Sequence, residues 1–195
     1  MTQFDDLRRQ QFRRYYQPTR ILLGLVESNG SNSPNVITLC FSMTCSYKPP
    51  LMAVSIHRRS YSFQLLHSAS EFVLAVPGES FAHEALICGL QSGRDIDKVR
   101  ECGFQIVDSK HVRVPGLRNA IANLELLIKS RIETGDHMTV IGEVRRYAVN
   151  TSSRERNLLS VGPEHDGYEV LAAKGIHRIA VTNRRNRGDA VLPIR

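Results

Sequence analysis

Residues 121–149 carry the longest β pattern in this sequence, because apolar and polar side chains alternate on both sides of the turn signal Thr134-Gly135-Asp136. The alternating apolar residues are Leu124, Leu126, Ile128 and Ile132 before the turn, and Met138, Val140 and Val144 after it. A period of two places alternate side chains on opposite faces of a strand, and glycine suits a tight hairpin turn. The segment therefore predicts two long antiparallel strands. This hairpin, and the lack of a G-x-G-x-x-G motif, disfavour the competing doubly wound parallel sheet.

Further strands and short helices are predicted along the rest of the chain. Apolar or alternating runs predict strands at residues 21–26, 35–46, 51–58 and 71–76, with weaker strand signals at 168–172 and 176–181. Helices are predicted over residues 4–16, from a cap at Ser60 to His67, from a cap at Ser80 to about Leu90, and from a cap at Asp95 to near Gly103. Mostly antiparallel strands with a few inserted helices favour a closed β-barrel, because closure removes exposed sheet edges.

Two neighbouring predicted strands each have one apolar face and one face of smaller, mostly polar side chains. In the first strand, Ile37, Leu39, Phe41 and Met43 share the apolar face, and Thr38, Cys40, Ser42, Thr44 and Ser46 share the small face. In the second strand, Met52, Val54 and Ile56 lie opposite Ala53, Ser55 and His57. Small side chains let a planar ligand approach the backbone, so the two small faces predict a flat binding slot. The alternative that these faces simply contact solvent stays open.

Size and composition point to one packed domain without external cross-links. At 195 residues with 42% hydrophobic side chains, the chain can bury one sizeable core. The longest apolar run, residues 21–26, is too short to cross a bilayer, and the first residues show no secretory leader. We therefore expect a cytoplasmic protein that does not interact with membranes. The four cysteines, Cys40, Cys45, Cys88 and Cys102, have no C-x-x-C or zinc-site spacing, so we expect free thiols and no metal.

The basic residues are scattered rather than concentrated on one motif. The net charge is +7, and the densest basic run is Asn183-Arg184-Arg185-Asn186-Arg187. Nucleic acid is therefore an improbable partner, although an interaction module that binds nucleic acid through this run is kept as an alternative. A phosphate-bearing small ligand needs only one or two cations beside backbone N–H groups, which the chain can supply.

Several short motifs occur in an order that is similar to a known family. They are Asn35-Val36-Ile37-Thr38, Cys45-Ser46-Tyr47-Lys48-Pro49-Pro50, Val54-Ser55-Ile56, Ser60-Tyr61-Ser62, Glu71-Phe72-Val73-Leu74-Ala75-Val76-Pro77, Asp97-Lys98, and Gly135-Asp136-His137 leading into Ile141-Gly142-Glu143-Val144. Over residues 18–149 this ordered set resembles the flavin reductase-like family, the FMN-binding split barrel. No single motif is specific, but their order is.

The resemblance implies a split β-barrel of antiparallel strands in a domain at residues 18–150. Outside this domain we expect an N-terminal helix at residues 1–17, from its helical spacing, and an extension at 151–195 that packs on the barrel or on a dimer partner. The resemblance also implies a homodimer that holds FMN, or FAD, and reduces it with NADH or NADPH. The implied flavin contacts are Thr38, Leu39, Cys40, Cys45 and Ser46 at the ring, His57, Arg58, Ser60 and Ser62 on the phosphate side, and Lys98 near the phosphate; His137 is implied beside the nicotinamide. Two departures are Leu39-Cys40, where the family often has Ala-Asn, and Ile176-His177-Arg178, where it often has an aromatic residue.

Each of these residues also has a structural interpretation. Ser60 can be a plain helix cap, His57 a barrel residue, His137 a surface residue of the hairpin, and Lys98 one half of a surface pair with Asp95 or Asp97. No catalytic acid or base is required, because a flavin supplies its own reactive atom and the protein supplies orientation and electrostatics. The sequence therefore predicts a flavin reductase, which could serve a monooxygenase or another redox acceptor. The alternative is an FMN electron carrier without nicotinamide activity.

Overall fold

The computed structural model describes residues 16–28, 30, 33–163 and 165–183. Within these described residues, thirteen strands run in chain order: β1 (Thr19–Arg20), β2 (Leu22–Val26), β3 (Asn35–Leu39), β4 (Ser42–Tyr47), β5 (Pro50–His57), β6 (Glu71–Val76), β7 (Ile106–Val107), β8 (Gly116–Leu117), β9 (Ala122–Thr134), β10 (His137–Val149), β11 (Leu159–Ser160), β12 (Tyr168–Lys174) and β13 (His177–Thr182). The helices are α1 (Tyr61–Ser68), α2 (Ala82–Leu90) and α3 (Lys98–Glu101), and a 3-10 turn covers Glu79–Phe81. The helix predicted over residues 4–16 lies outside the described residues, except for its last residue.

Seven antiparallel strands form a sheet in the order β3-β2-β6-β9-β10-β5-β4. Its edge strands, β3 and β4, are separated in sequence only by Cys40 and Phe41. In a flat sheet those edges would lie about 29 Å apart, whereas the chain from Leu39 to Ser42 spans at most about 11 Å. The sheet must therefore curl so that its two edges approach each other. The N–H of Ser55 donates to the carbonyl of Phe41 at 2.9 Å, which extends the pairing of β4 with β5 up to the crossing. The predicted antiparallel barrel is confirmed.

The long β9–β10 hairpin forms the middle of the barrel sheet, away from its edge strands. β9 and β10 pair from His137 with Thr134 at the turn to Val149 with Ala122 at the far end, and Gly135 adopts φ +64° at the turn. Gly142 faces the interior, where a Cβ would lie 2.8 Å from Cε1 of Phe72. The interior is filled by large apolar side chains: Leu22, Val26, Leu39, Val54, Ile56, Leu65, Leu66, Phe72, Leu74, Leu124, Leu126, Met138, Val140 and Val144.

The single strand predicted over residues 35–46 is wrong, because two strands replace it. Leu39 is buried in the barrel, whereas Phe41 and Met43, which were expected on the same face, are 50% and 62% exposed. The backbone turns at Cys40 and Phe41 to reach the opposite edge of the sheet, and β4 has a further register shift between Thr44 and Ser46. Each irregularity resets the alternation of side chains. The expected continuous face of small side chains therefore does not exist.

The helix starts confirm one predicted cap and correct two. Ser60 caps α1, and its hydroxyl accepts the N–H of Phe63 at 3.1 Å. Ser80 does not cap α2, because it lies within the 3-10 turn. Asp95 does not cap α3 either; Asp97 does, and its carboxylate accepts two N–H groups of the first turn. The predicted helix end is confirmed at Gly103, which adopts φ +63°.

A second sheet covers one outer side of the barrel, in the order β1-β11-β13-β12. In this sheet β1 (Thr19–Arg20) pairs with β11 (Leu159–Ser160). The segment after residue 150 is therefore hydrogen-bonded to the beginning of the barrel domain. Arg156 holds this layer by donating to Glu169 at 2.7 Å and to Glu79 of the 3-10 turn. The sheet and α2 share an outer core with the barrel strands, formed by Ile21, Leu23, Leu25, Val36, Val73, Ala75, Ala82, Ala85, Cys88, Phe104, Val112, Val114, Leu117, Ala120, Leu158, Ala172, Ile179 and Val181.

Candidate functional site

Five side chains line the outer surface of the barrel where its edges meet: Phe41, Ser55, His57, His137 and Thr139. We call this set the histidine rim. The register of β5 and β10 places His57 opposite His137 and Ser55 opposite Thr139. The two imidazole centroids lie 5.1 Å apart, edge to face, and the Phe41 ring lies 5.5 Å from that of His137. The rim therefore combines one exposed aromatic ring with two imidazoles and two hydroxyls.

Hydrogen bonds orient both imidazoles of the rim. Nδ1 of His57 accepts the backbone N–H of Arg59 at 3.1 Å, which leaves Nε2 of His57 to carry the ring proton. Nδ1 of His137 lies 2.6 Å from the carboxylate of Asp136 and donates to it, because an ionised carboxylate only accepts. The two neutral rings therefore offer different groups to a ligand. Nε2–H of His57 can donate a hydrogen bond, whereas Nε2 of His137 can accept one.

A turn of basic residues follows the rim and leads into α1. The N–H of Ser60 closes the turn on the carbonyl of His57 at 3.0 Å, and Arg58 pairs with Glu133 at 3.4 Å. Arg59 is exposed. The first turn of a helix presents unpaired N–H groups and positive potential, so this turn combines cations, a hydroxyl and a helix start beside the rim. Among the predicted residues, the structure therefore brings together His57, Arg58, Ser60 and His137.

The predicted ring contacts at Thr38, Leu39 and Cys40 do not join the rim through their side chains. The hydroxyl of Thr38 donates to the carbonyl of Ala85 in α2 at 2.5 Å, Leu39 fills the barrel, and Cys40 packs against the outer core. This segment borders the rim only because Cys40 directly precedes Phe41 in the chain.

Cys45 and Ser46 lie at the other end of the barrel edge. Cys45 is exposed, and Ser46 pairs with Leu51, six residues along β5 from His57. At the rise of a strand, that separation is about 20 Å. A ligand that contacts both groups must therefore extend along the edge formed by β4 and β5.

Ser62 and Lys98 belong to a second polar region on the side of β3. The hydroxyl of Ser62 is buried and accepts from Nδ2 of Asn35 at 2.8 Å. Lys98 is also buried, and its ammonium donates to the carbonyls of Val36 and Cys88, both at 2.8 Å. Burial lowers the pKa of Lys98. The expected surface pair of Lys98 with an aspartate is therefore wrong, since the carbonyls of β3 and α2 are its partners.

The same region contains a cavity of about 230 Å³, lined by Ser28, Ser33, Pro34, Asn35, Gly93, Arg94, Asp95, Ile96, Asp97 and Lys98. Asn35 is 5% exposed, and its Oδ1 has no hydrogen-bond partner among the described residues. The guanidinium of Arg94 lies 5.3 Å above the Tyr61 ring. Asn35 and Arg94 were not chosen as site residues, although Asn35 opens the motif Asn35-Val36-Ile37-Thr38, because the burial of Asn35 and the stacking of Arg94 on Tyr61 depend on tertiary contacts.

Phe41 is the rim residue that sequence reasoning placed wrongly. The alternation of residues 35–46 put it on the buried face, and only its position at the break between β3 and β4 exposes the ring. Ser55 and Thr139 were not chosen as site residues, although their hydroxyls lie 3.5 Å apart across the strands. No signal in the sequence marks this position, because the exposure of Phe41 follows from the break between β3 and β4.

The described part of the chain contains neither a cluster of metal-binding side chains nor a membrane-spanning helix. Within residues 16–28, 30, 33–163 and 165–183, no group of three or more His, Cys, Asp or Glu side chains could hold a metal ion. No helix in the same residues is long and apolar enough to span a bilayer.

Comparisons with known proteins converge on one family and one fold. The family model described as "Flavin reductase like domain" matches residues 18–179. An FMN-binding protein from Thermus thermophilus, in a crystal with bound p-hydroxybenzaldehyde, is 21% identical, with a TM-score of 0.73 over 94% of this chain and 98% of that chain. A flavoredoxin of Desulfovibrio vulgaris (Miyazaki F) is 24% identical, with a TM-score of 0.68 over 80% of this chain and 90% of that chain. An NADH:FAD oxidoreductase of Streptomyces globisporus C-1027 is 22% identical, with a TM-score of 0.68 over 82% of this chain and 92% of that chain.

Proposed function

Because this chain belongs to the flavin reductase-like domain family, we propose that it binds FMN or FAD and reduces the flavin with NADH or NADPH. The observation that carries the proposal is the family match across residues 18–179, which includes every strand of the barrel. Family membership supports a flavin-binding redox function, and the similarity to an NADH:FAD oxidoreductase favours a nicotinamide nucleotide as the electron donor.

The histidine rim fits the ring system of such a ligand. Phe41 is half exposed and tilted against His137, so an aromatic surface is available beside two imidazoles. Flat rings gain stabilisation from offset contacts with aromatic side chains. A bound flavin would supply the atom that accepts hydride, and the chain itself needs to bind, orient and exclude water. In this arrangement His57 and Phe41 position the flavin, and His137 contacts the nicotinamide side.

The turn between β5 and α1 fits a phosphate group. Arg59 is exposed there, Ser60 supplies a hydroxyl, and the start of α1 supplies backbone N–H groups. These are the groups that stabilise a phosphate at a helix N-terminus. Ser62 and Lys98 are buried and hydrogen-bonded to protein groups, so we assign them to the support of the site through Asn35 and β3.

A second copy of the chain would complete the site, and we propose a homodimer. Large apolar side chains remain exposed on the described barrel surface, at Phe41, Met43, Tyr47, Ile132, Tyr147 and Val149. Phe41 belongs to the rim, Met43 follows it in β4, and Tyr47 lies at the far end of β4. Apolar surface of this kind is typical of protein interfaces. Sedimentation of the purified protein as a monomer at micromolar concentration would contradict the homodimer.

Absorbance of the purified protein tests flavin binding, and stopped-flow mixing with NADH or NADPH tests reduction. We expect the protein to be yellow as purified, or to bind added FMN. In either case the visible absorbance of the bound flavin should decrease when NADH or NADPH is added. Protein that binds neither FMN nor FAD would refute the proposal.

Two matched pairs of variants locate the ligand. Ser60→Ala should weaken FMN more than riboflavin, because only FMN carries the phosphate, whereas Ser68→Ala at the other end of α1 should affect neither. His137→Ala should slow reduction by NADH or NADPH while FMN remains bound, and His67→Ala on the surface of α1 serves as its control. An equal loss of FMN and riboflavin in Ser60→Ala would place the phosphate elsewhere.

An FMN electron carrier without nicotinamide activity is the second candidate, supported by the similarity to a flavoredoxin and by the unusual Leu39-Cys40 pair. Tight FMN binding with no oxidation of NADH or NADPH, together with rapid reoxidation by a protein redox partner, would select it. If nicotinamide activity is present, a flavin-dependent monooxygenase is the class of acceptor that we propose to test first.

A further inference from the structure

The two imidazoles of the histidine rim are held in register by backbone hydrogen bonds. His57 ends β5 and His137 begins β10, and the two residues are paired in the register of these strands. Immediately beyond the pair, the N–H of Arg58 donates to the carbonyl of Asp136 at 3.0 Å. The ring centroids therefore lie 5.1 Å apart on two chain segments that are hydrogen-bonded to each other.

Each ring uses Nδ1 for a contact within the protein and leaves Nε2 for a ligand. Nδ1 of His57 accepts the N–H of Arg59, and Nδ1 of His137 donates to Asp136. Neither Nε2 atom has a hydrogen-bond partner among the described residues, and neither belongs to the buried side-chain atoms that lack a partner there. Both Nε2 atoms are therefore accessible. The rim offers a ligand two nitrogens of opposite hydrogen-bonding character, a donor and an acceptor.

An amide or imide edge is the ligand group that matches this pair. Such an edge presents an N–H donor beside a C=O acceptor in one plane, so its carbonyl can accept from His57 while its N–H donates to His137. A carboxylate offers acceptors only, so Nε2 of His137 would face an oxygen with no proton to share. The Phe41 ring, 5.5 Å from that of His137, adds an aromatic surface for the ring that carries the edge.

We propose that the histidine rim recognises an amide or imide edge of its ligand, and that Asp136 is a positioning residue that holds the ring proton of His137 on Nδ1. The inference rests on the proposed function for its two natural sources, because a flavin carries an imide edge at N3–H and C4=O and a nicotinamide carries a carboxamide. Asp136 acts through His137 rather than on the ligand.

Nitrogen-15 NMR of the histidine side chains tests the positioning role in the full chain without flavin. At mildly alkaline pH, where imidazoles are neutral, we expect His137 to carry its proton on Nδ1 and His57 on Nε2. Asp136→Ala should move the proton of His137 away from Nδ1, whereas Asp166→Ala, at an exposed turn beside His165, should leave both rings unchanged. A proton on Nε2 of His137 in the original protein, or an unchanged His137 ring in Asp136→Ala, would overturn the proposal.

Ligand analogues that lack one N–H group identify the source of the edge. 3-Methyl-FMN lacks the imide N–H of the flavin, and the reduced 3-acetylpyridine analogue of NADH has a methyl ketone in place of the carboxamide. Relative to its parent ligand, one analogue should lose about tenfold or more, in affinity for the flavin or in kcat/KM for the nucleotide. This loss should shrink in His137→Ala, which has no acceptor to leave unpaired, and should persist in the control His67→Ala.

The outcomes separate this inference from the proposed function. If the original protein and His137→Ala discriminate equally against both analogues, the rim does not recognise the edge, even where flavin binds and is reduced. Protein that binds neither FMN nor FAD refutes the proposed function and with it both natural sources of the edge. The NMR measurement needs no flavin, so it decides the role of Asp136 in either case.

Discussion

Replacement of Glu125 by glutamine should destabilise the barrel strongly at neutral pH. Glu125 lies in β9 and is 1% exposed. Its carboxylate accepts the backbone N–H of His111 at 2.7 Å, the N–H of Lys110 at 3.1 Å, and Nη1 of Arg146 at 2.8 Å. The carboxylate thereby ties the 108–115 loop and β10 to β9.

The size of the effect follows from the donors that surround the carboxylate. Glutamine keeps one oxygen and turns an NH₂ group toward at least one of the donors, which then loses its partner at a cost of about 1–3 kcal/mol. The remaining hydrogen bonds also lose their charge assistance, whereas removal of a buried charge returns part of the desolvation penalty. We expect a net loss of about 2–4 kcal/mol, which for a domain of this size corresponds to a decrease in Tm of roughly 4–16 °C.

The effect of Glu125→Gln should depend on pH. Burial alone would raise the pKa of Glu125, but the hydrogen bonds from Arg146, Lys110 and His111 outweigh burial and hold this pKa below its ordinary value of 4.5. A carboxylate with a lowered pKa in the folded state stabilises the protein above the unfolded pKa, and this stabilisation is lost as the pH falls through the folded pKa. The difference in unfolding free energy between the original protein and Glu125→Gln should therefore be largest at pH 7 and decrease below about pH 4.5.

Urea unfolding followed by circular dichroism at several pH values measures this difference. Glu143→Gln is the matched control, because Glu143 lies on the neighbouring strand and bonds the exposed side chains of Lys129 at 3.2 Å and Arg145 at 2.9 Å. The control should change stability far less. If Glu125→Gln were as stable as the original protein at pH 7, or if the difference stayed constant down to about pH 3, the stabilising role of the carboxylate would be refuted.

Three further changes test the packing and the corrected caps. Gly142→Ala should cost about 1–3 kcal/mol in urea unfolding, because its Cβ would lie 2.8 Å from a ring carbon of Phe72; no loss would mean that the ring moves freely. Asp97→Ala should lower stability by about 1 kcal/mol through the loss of the α3 cap, while Asp95→Ala should change stability little. A larger loss in Asp95→Ala than in Asp97→Ala would instead support Asp95 as the cap. Thr38→Val should cost about 0.5–1.5 kcal/mol, since α2 loses a hydrogen bond, and equal thermal stability would contradict the contact.

Local sequence chemistry was sufficient for several elements and for part of the candidate site. The alternation around Gly135 and the turn itself predicted the β9–β10 hairpin, because side-chain period and backbone preference are properties of neighbouring residues. Ser60 was predicted as a cap for the same reason. The proximity of His57 and Ser60 also follows from their separation in sequence, and the pairing of β5 with β10 added His137 to them.

Barrel closure decided what the local pattern could not. The chain crosses from one edge of the sheet to the other at Cys40 and Phe41, so the periodicity fails there and an aromatic residue expected inside becomes exposed. Tertiary packing likewise buried Lys98 against the carbonyls of Val36 in β3 and Cys88 in α2. These outcomes depend on which distant segments share a surface, and a pattern of adjacent residues carries no record of that choice.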